Sequence, residues 1–315
     1  MKHFKSHTHA RHTTATPSGS APQYRQNYQT TQFHNTLAEQ QQKAKRRKSL
    51  FALAVLVLVI ISVTLVAISV SQCGSSSLRA VSVPEVETYV SPYNWDGMVE
   101  QDGRFTYSED GEVKSQVGID ISELQGNIDW NAVAADGISF AMVRLGNRGY
   151  TEGGLFADAN AQYNLDEAQA AGLACGAYFF SQATTVEEAR EEADMALQQL
   201  NGRSLELPVA FDHESVAEAN ARANNLDRET LTQCALAFCE RIEAGGYDVM
   251  IYGNRNDLLR YNLKELEGIP LWLAEYDQPH PTAQMDIVMW QFSGSGSVAG
   301  INTPVDMNLR FTDAL

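Results

Sequence analysis

The chain has few cysteines, at only four positions: Cys73, Cys175, Cys234 and Cys239. Their spacing matches neither a disulfide framework nor the ligand pattern of a zinc site. Cys234 and Cys239 are five residues apart on a predicted helix, so they lie on different faces of it and pair poorly. We therefore expect the cysteines to be small buried apolar residues. We expect neither a metal ion nor an organic cofactor.

Basic residues are scarce beyond residue 49. This part of the chain carries 14 Lys/Arg and 38 Asp/Glu, whereas residues 1–49 carry nine Lys/Arg and a single acid, Glu39. The acidic body argues against nucleic-acid binding, which requires a basic face. Residues 1–49 are rich in Thr, Gln, His, Ser and Asn, a composition typical of a disordered tail.

Charged side chains are absent from the apolar run at residues 50–70. As a helix this run rises roughly 32 Å, which matches the roughly 30 Å hydrocarbon core of a bilayer. The basic stretch KAKRRK directly precedes it, so the positive-inside rule places the N-terminus in the cytoplasm. We predict a transmembrane signal anchor over residues 50–71, with the acidic domain outside a single-pass cell-membrane protein. The alternative, a cleaved signal peptide, has a shorter apolar region of about 7–15 residues.

Beyond residue 116, strand-like apolar runs alternate with helical patterns, which is typical of a parallel α/β sheet. Eight such runs indicate a closed barrel. Residues 72–116 are expected to form an extracellular linker and lead-in, whose turn residues and aromatics favour a short hairpin packed on the barrel. The eight predicted strands are Val117–Ile121, Phe140–Leu145, Ala174–Phe180, Leu207–Phe211, Val249–Tyr252, Leu271–Tyr276, Ile287–Phe292 and Val305–Leu309.

Helices are predicted between the early strands, over Phe156–Ala171, Thr185–Leu200 and Arg228–Ala244. Few residues separate Tyr276 from Ile287, and a parallel crossover usually needs about a dozen or more. The last strands should therefore lack full covering helices. We predict that residues 117–315 form a modified TIM-like α/β barrel, with roughly five βα units followed by three strands without full helices.

In the stretch ELPVAFDHES, an apolar strand is followed directly by two carboxylates, Asp212 and Glu214. Side chains alternate along a strand, so these two acids share a face and His213 points the other way. Catalytic groups of such barrels sit at the C-terminal ends of strands. Asp120 lies near the end of the first strand and Asp306 lies in the eighth, which is its neighbour in a closed barrel. Each acid alone has a structural explanation: Asp120 or Asp212 as a cap, or Asp306 as an ion-pair partner of Arg144 or Arg310.

Aromatic side chains occur at equivalent strand ends, and such residues form platforms on which sugar rings stack when they surround carboxylates. Together with paired carboxyl groups they favour glycoside hydrolysis, in which one acid protonates the leaving oxygen and another stabilises the oxocarbenium charge. Gln291, on the seventh strand, is added to the predicted substrate-binding residues. The aromatic candidates are Tyr178, Phe180, Tyr252, Trp272, Tyr276 and Trp290.

In order and spacing, five stretches resemble the lysozymes of glycoside hydrolase family 25: GIDISELQGNIDW, GLACGAYFF, PVAFDHE, PLWLAEY and MWQFSGSGSVAGINTPVDMN. The resemblance covers about residues 116 to 313. It implies cleavage of the β-1,4 bond between N-acetylmuramic acid and N-acetylglucosamine in peptidoglycan. It also implies that Glu214 is the acid, Asp212 its partner, and Asp120 and Asp306 supporting carboxylates. One departure is Phe179, which replaces a His of many relatives and should face away from Tyr178.

Two points stay open at the level of sequence. Asp212 either orients an attacking N-acetyl group of the substrate or attacks the anomeric carbon itself, and the spacing of two residues along a strand does not distinguish these routes. The alternative functions are a catalytically inactive glycan-binding protein that tethers the membrane to the wall, and a hydrolase of another N-acetylated glycan such as chitin.

Overall fold

The computed structural model describes residues 89–314. The predicted tail and the predicted transmembrane segment at residues 50–71 lie outside this range, so the anchor stays a prediction. Among residues 89–314, no helix combines the length and the apolar character needed to cross a membrane.

A small antiparallel sheet precedes the barrel. Its strands are β1 (Met98–Gln101), β2 (Arg104–Glu109) and β3 (Glu112–Val113). Each connection is an Asp-Gly pair in which both residues have positive φ, as two-residue hairpin turns require. The sheet lies on the barrel, where the ring of Phe105 is 4.8 Å from that of Trp290. The short hairpin expected from the sequence is thus extended by a third strand.

Eight strands close into a barrel, because β4 pairs with β5 as well as with β12. Each of the eight overlaps one of the predicted runs, so the predicted fold class is confirmed. A short additional strand, β6 (Leu155–Ala157), pairs antiparallel with β5 at the edge of the barrel. The barrel strands are β4 (Ser115–Ile121), β5 (Phe140–Arg148), β7 (Ala174–Phe180), β8 (Val209–Asp212), β9 (Val249–Asn254), β10 (Leu271–Ala274), β11 (Met289–Gly296) and β12 (Val305–Phe311).

Helices follow the first five barrel strands, as predicted, and the last of them is a single turn. In the described chain no helix connects β10 to β11 or β11 to β12. The helix predicted from Phe156 begins five residues later, because Phe156 and Ala157 belong to β6. The α-helices are α1 (Trp130–Ala135), α2 (Ala161–Ala170), α3 (Val186–Leu200), α4 (Arg228–Glu243) and α5 (Arg255–Leu258).

The closing strand β12 runs antiparallel to both of its neighbours, β11 and β4. The sequence pattern predicted a parallel sheet, and for this strand the prediction was wrong. The β11–β12 connection spans only residues 297–304, too few for a parallel crossover, so the chain turns back directly. As a result the start of β12, rather than its end, lies at the mouth of the barrel. Asp306 is the second residue of that strand.

Alternation along the strands separates two cores. On β5, Phe140 and Met142 point into the barrel, whereas Ala141 and Val143 face the surrounding helices. Bulky apolar side chains fill the lower part of the barrel and leave polar groups at the mouth. The interior cluster consists of Phe140, Met142, Leu207, Ala210, Met250, Tyr252, Trp272, Ala274 and Met289.

Candidate active site

A cavity of about 200 Å³ opens at the mouth of the barrel. It is lined by ten of the eleven predicted site residues and by one residue that was not predicted, Arg144. The four predicted catalytic carboxyls therefore lie in one place although they come from both ends of the domain sequence. The lining comprises Asp120, Arg144, Tyr178, Phe180, Asp212, Glu214, Tyr252, Trp272, Tyr276, Gln291 and Asp306.

Trp290 was predicted to join the aromatic residues at the mouth, and this was wrong. It is fully buried on the outer side of β11, where its ring packs against those of Phe105 and Phe292 and its indole N–H donates to the carbonyl of Glu275. Strand alternation turns Gln291, the next residue, into the cavity instead.

Asp120 and Asp306 face each other across the seam that closes the barrel. They are directly paired in the antiparallel ladder between β4 and β12. Like charges in this relation repel, since the Cβ atoms of such pairs are about 4.5–5.5 Å apart. Burial and the Asp306 charge raise the pKa of Asp120 to about 8, and burial also raises the pKa of Asp306. The two carboxyls therefore do not ionise independently.

A hydrogen-bond network holds Asp120 in place. Its Oδ2 accepts from Gln291 Nε2 at 2.8 Å and from Asn308 Nδ2 at 2.7 Å. The Asn308 Oδ1 in turn accepts from the indole N–H of Trp272 at 2.8 Å. Gln291 Oε1 accepts from the hydroxyl of Tyr252 at 2.9 Å. These bonds fix both amide orientations, so the network presents the carboxyl of Asp120 in a single orientation.

Tyr276 joins the same network from the rim of the cavity. Its hydroxyl donates to Gln291 Oε1 at 2.5 Å, while 44% of the residue stays exposed. Its ring is thus anchored at one end and accessible on its face, which suits a surface for stacking a sugar ring.

Asp212 and Glu214 come from β8 and the loop that follows it. In the order of strands around the barrel, β8 lies opposite the seam between β4 and β12. Strand β8 ends at Asp212, so Glu214 lies two residues beyond the strand rather than in it. Asp212 is buried, and its Oδ1 has no hydrogen-bond partner among the described residues. Burial, together with the negative charges of Glu214 and Asp120, raises the pKa of Asp212 well above its ordinary value.

Glu214 is partly exposed to the cavity, and its pKa is raised to about 7. Burial is the largest cause, followed by the negative charges of Asp257 and Asp306. A carboxyl group of this kind carries a proton near neutral pH, as a general acid must.

The loop that carries Glu214 is tied to α5. Asp257 Oδ1 accepts hydrogen bonds from the backbone N–H of Ser215 at 3.3 Å and from its hydroxyl at 3.0 Å. Arg260 Nη1 donates to the same hydroxyl at 2.9 Å. On the other side, Gln182 Nε2 donates to the carbonyl oxygen of Glu214 at 3.0 Å. The backbone on both sides of the Glu214 side chain is therefore held by buried or half-buried polar groups.

His213 points away from the cavity, as predicted from strand alternation. It is fully buried, with its ring centroid 6.3 Å from that of Phe211. Burial and the nearby Arg260 charge lower the pKa of this imidazole to about 4, so it is neutral at physiological pH.

Neither proposed ion pair of Asp306 occurs among the described residues. Arg144 Nε is 2.8 Å from Asp158 Oδ2, and Arg310 Nε donates to Gln116 Oε1 at 2.8 Å. Arg144 nevertheless lines the cavity, and its positive charge partly offsets the increase in the pKa of Asp212. It is the single basic residue in the lining.

Three residues that shape the site were not predicted: Arg144, Asn308 and Asp257. Strand alternation could have identified the first two, because residues two apart on a strand share a face. Arg144 is two residues after the inward-facing Met142, and Asn308 is two residues after Asp306. Asp257 carries no such signal, since it belongs to a one-turn helix and meets Ser215 across 42 residues of sequence.

The barrel agrees with comparisons to known proteins. The model of a family described as glycosyl hydrolases family 25 matches residues 119–301, more than half of the chain. The autolytic lysozyme of Clostridium acetobutylicum is 30% identical over 194 residues, which cover 61% of this chain and 54% of that protein. Lysozyme M1 of Streptomyces globisporus is 28% identical over 208 residues, which cover 61% of this chain and 66% of that protein. The chain thus spans between about half and two thirds of these relatives.

A solved structure agrees as well. The bacterial lysozyme from Streptomyces coelicolor is 26% identical, with a TM-score of 0.50 over 61% of this chain and 90% of that one. The stretch that matches the family model includes Asp120, Asp212 and Glu214. The chain belongs to glycosyl hydrolase family 25.

Proposed function

We propose that this protein is a peptidoglycan hydrolase that cleaves the β-1,4 bond between N-acetylmuramic acid and N-acetylglucosamine. The observation that carries the proposal is the placement of Glu214, protonated near neutral pH, beside the buried Asp212 in a cavity lined by aromatic rings. The printed names of its relatives, autolytic lysozyme and lysozyme M1, support this substrate class.

In the first step, Glu214 donates its proton to the glycosidic oxygen. The C1–O bond then breaks, and the electron pair stays with the departing sugar hydroxyl. The carbonyl oxygen of the substrate's own N-acetyl group attacks C1 and forms a cyclic oxazolinium. In the second step, the Glu214 carboxylate takes a proton from water, whose oxygen adds to C1 and opens the ring. Glu214 regains its proton and the configuration at C1 is retained.

Asp212 is assigned the role of orienting the N-acetyl group. Its Oδ1 is buried and lacks a hydrogen-bond partner in the described protein, so an acetamido N–H would satisfy it. Such a bond aligns the acetamido carbonyl toward C1 and stabilises the positive charge that develops on nitrogen. A direct attack by Asp212 on C1 would instead make the acetamido group dispensable.

Product analysis tests both the substrate and the route. We expect purified protein to release muropeptides with N-acetylmuramic acid at the reducing end from peptidoglycan, and to leave chitin oligomers largely intact. Peptidoglycan in which muramic acid is de-N-acetylated should be resistant, because the internal nucleophile is missing. Cleavage of chitin in preference to peptidoglycan would contradict the proposed substrate. Equal cleavage of acetylated and de-N-acetylated peptidoglycan would contradict the proposed route.

We also propose that residues 50–71 anchor the enzyme in the cell membrane, with the hydrolase domain on the outer face. The absence of charge from residues 50–70 and the preceding KAKRRK support this placement. Protease added to intact cells should therefore release fragments of the acidic domain while the basic N-terminal tail stays protected. Recovery of a soluble mature protein that begins near residue 72 would show that the segment is a cleaved signal instead.

A further inference from the structure

A second cavity, of about 510 Å³, lies on the same end of the barrel as the candidate active site. We call it the rim pocket; it is lined chiefly by Asn127, Asp129, Asn131, Tyr163, Glu167 and Asn302. It is formed by the segment after β4, by α2 and by the loop between β11 and β12. All three begin or end at the mouth of the barrel. Asn302 is four residues from Asp306, so their Cα atoms are at most about 14 Å apart.

The walls of the rim pocket are held together by contacts between these three segments. The backbone N–H of Asp129 donates to the carbonyl of Gly300 at 3.0 Å. Gly300 has a φ of +90°, and a Cβ there would lie 2.4 Å from the Asp129 carbonyl oxygen, so only glycine permits this approach. The Tyr163 hydroxyl lies 3.4 Å from the carbonyl oxygen of Ile128, to which it donates. The pocket is therefore built by the fold rather than left between separate loops.

The chemistry of the lining is that of a site for an uncharged polyol. Three exposed amide side chains, Asn127, Asn131 and Asn302, each offer two donors and an acceptor. Two carboxylates, Asp129 and Glu167, add acceptors, and no Lys or Arg lines the pocket. An anionic ligand would meet only negative charge there.

Two aromatic residues complete the site. Tyr163 is 47% exposed, so the ring that lines the pocket is accessible to a ligand. Trp130 is only 2% exposed, and its indole N–H has no hydrogen-bond partner in the described part of the chain. Since this nitrogen has almost no accessible surface, Trp130 forms part of the pocket wall, and Tyr163 supplies the aromatic ring that a ligand would contact.

We propose that the rim pocket is an accessory subsite for an N-acetylglucosamine residue of the glycan strand held in the active-site cavity. The proposal rests on the proposed function for the class of glycan. N-acetylglucosamine fits this lining because it presents only hydroxyls and an acetamido group, which the amides and carboxylates of the pocket can bind, and it carries no lactyl-peptide substituent that the pocket would have to accommodate. The enzyme would thus bind a long glycan strand at two sites and a short glycan at one site.

The test uses two tryptophans as separate reporters of ligand binding. Trp130 is one of the residues that line the rim pocket, and Trp272 is one of those that line the active-site cavity, so each indole resonance reports on its own cavity. Indole N–H resonances of the Glu214→Gln protein are followed during titration with N-acetylglucosamine oligomers, after assignment by Trp→Phe substitution. We expect both resonances to shift, and we expect Tyr163→Ala to weaken the Trp130 response roughly five- to tenfold. Tyr150→Ala, which removes an exposed tyrosine outside both cavities, is the matched control and should change neither response.

Saturation of the Trp272 shift with no movement of Trp130 would overturn the proposal. So would an equal effect of Tyr163→Ala and Tyr150→Ala. If Tyr163→Ala does not fold, Asn302→Ala in the β11–β12 loop takes its place with the same expectation. Binding at Trp130 in a protein that fails to hydrolyse peptidoglycan would contradict the proposed function and leave the rim pocket standing. Hydrolysis of peptidoglycan without a Trp130 response would contradict the rim-pocket proposal and leave the proposed function standing.

Discussion

Glu214→Gln should lower the turnover of peptidoglycan by about 10²–10⁴. Glutamine keeps the shape of the side chain, and the hydrogen bond from Gln182 to the backbone carbonyl at this position is unaffected. The amide cannot deliver a proton, so the departing sugar would leave as an unprotonated alkoxide. The measurement is the initial rate of release of reducing ends from purified peptidoglycan at saturating substrate. Activity within a factor of two of the wild-type protein would remove Glu214 from the role of acid.

The pH dependence provides an independent measurement of the same assignment. Because the pKa of Glu214 is raised to about 7, the fraction that carries a proton falls as the pH rises through that value. Wild-type activity should decline above about pH 7, and the residual activity of Glu214→Gln should lack this decline. Glu218→Gln is the matched control, since Glu218 is an exposed acid four residues further along the same loop. Its activity and pH profile should match the wild-type protein.

Asp306→Asn should lower activity at least roughly tenfold, or about 1.4 kcal/mol of transition-state stabilisation, without lowering the melting temperature. The carboxyl of Asp306 faces that of Asp120 in the ladder, and in the described protein it pairs with neither Arg144 nor Arg310. Its loss therefore relieves repulsion instead of breaking an ion pair. The activity should fall because its charge contributes to the raised pKa values of both Asp120 and Glu214.

The stability of this variant should depend on pH with a defined sign. The pKa of Asp306 is raised in the folded protein, so above the unfolded value of about 3.9 the folded state binds more protons than the unfolded state. The contribution of Asp306 to the free energy of unfolding is fully present below the unfolded pKa and is lost as the pH rises through the folded pKa. Thermal melts should therefore coincide for wild type and Asp306→Asn near pH 4, and the variant should gain relative stability toward pH 8.

The comparison for Asp306→Asn is Asp313→Asn, just beyond the end of the same strand. Asp313 Oδ2 is 3.3 Å from Lys114 Nζ and its side chain is 65% exposed, so its loss should cost at most about 1 kcal/mol of stability and no activity. An Asp306→Asn protein that melts lower than wild type but is fully active per folded molecule would exclude Asp306 from the site. It would also weaken the case that the four carboxyls act together.

The strands and the cavity lining could be predicted because they depend on local alternation and on barrel closure. The direction of β12 depends on the short connection at residues 297–304, which the apolar pattern of the strand itself does not record. Trp290 was misassigned because almost every residue of its strand is apolar, so the sequence pattern does not show which side chains face into the barrel. Gln291, the polar residue of this run, marks the inward face. Asp257 acts on Glu214 because the one-turn helix α5 contacts the loop after β8, and no period in the sequence encodes such a contact.

The seam between β4 and β12 also determines when the protein can become active during folding. Asn308 and Asp120 are joined by a hydrogen bond across 188 residues, so the last strand of the barrel must dock on the first before Asp120 is held. Contacts between segments so distant in sequence form late, because the entropy of closing the long loop must be overcome first. A nascent or partly folded chain that already contains Asp212 and Glu214 thus still lacks half of its carboxyl cluster. For the proposed peptidoglycan hydrolase, this order of assembly would delay catalytic competence until the domain has completed its fold.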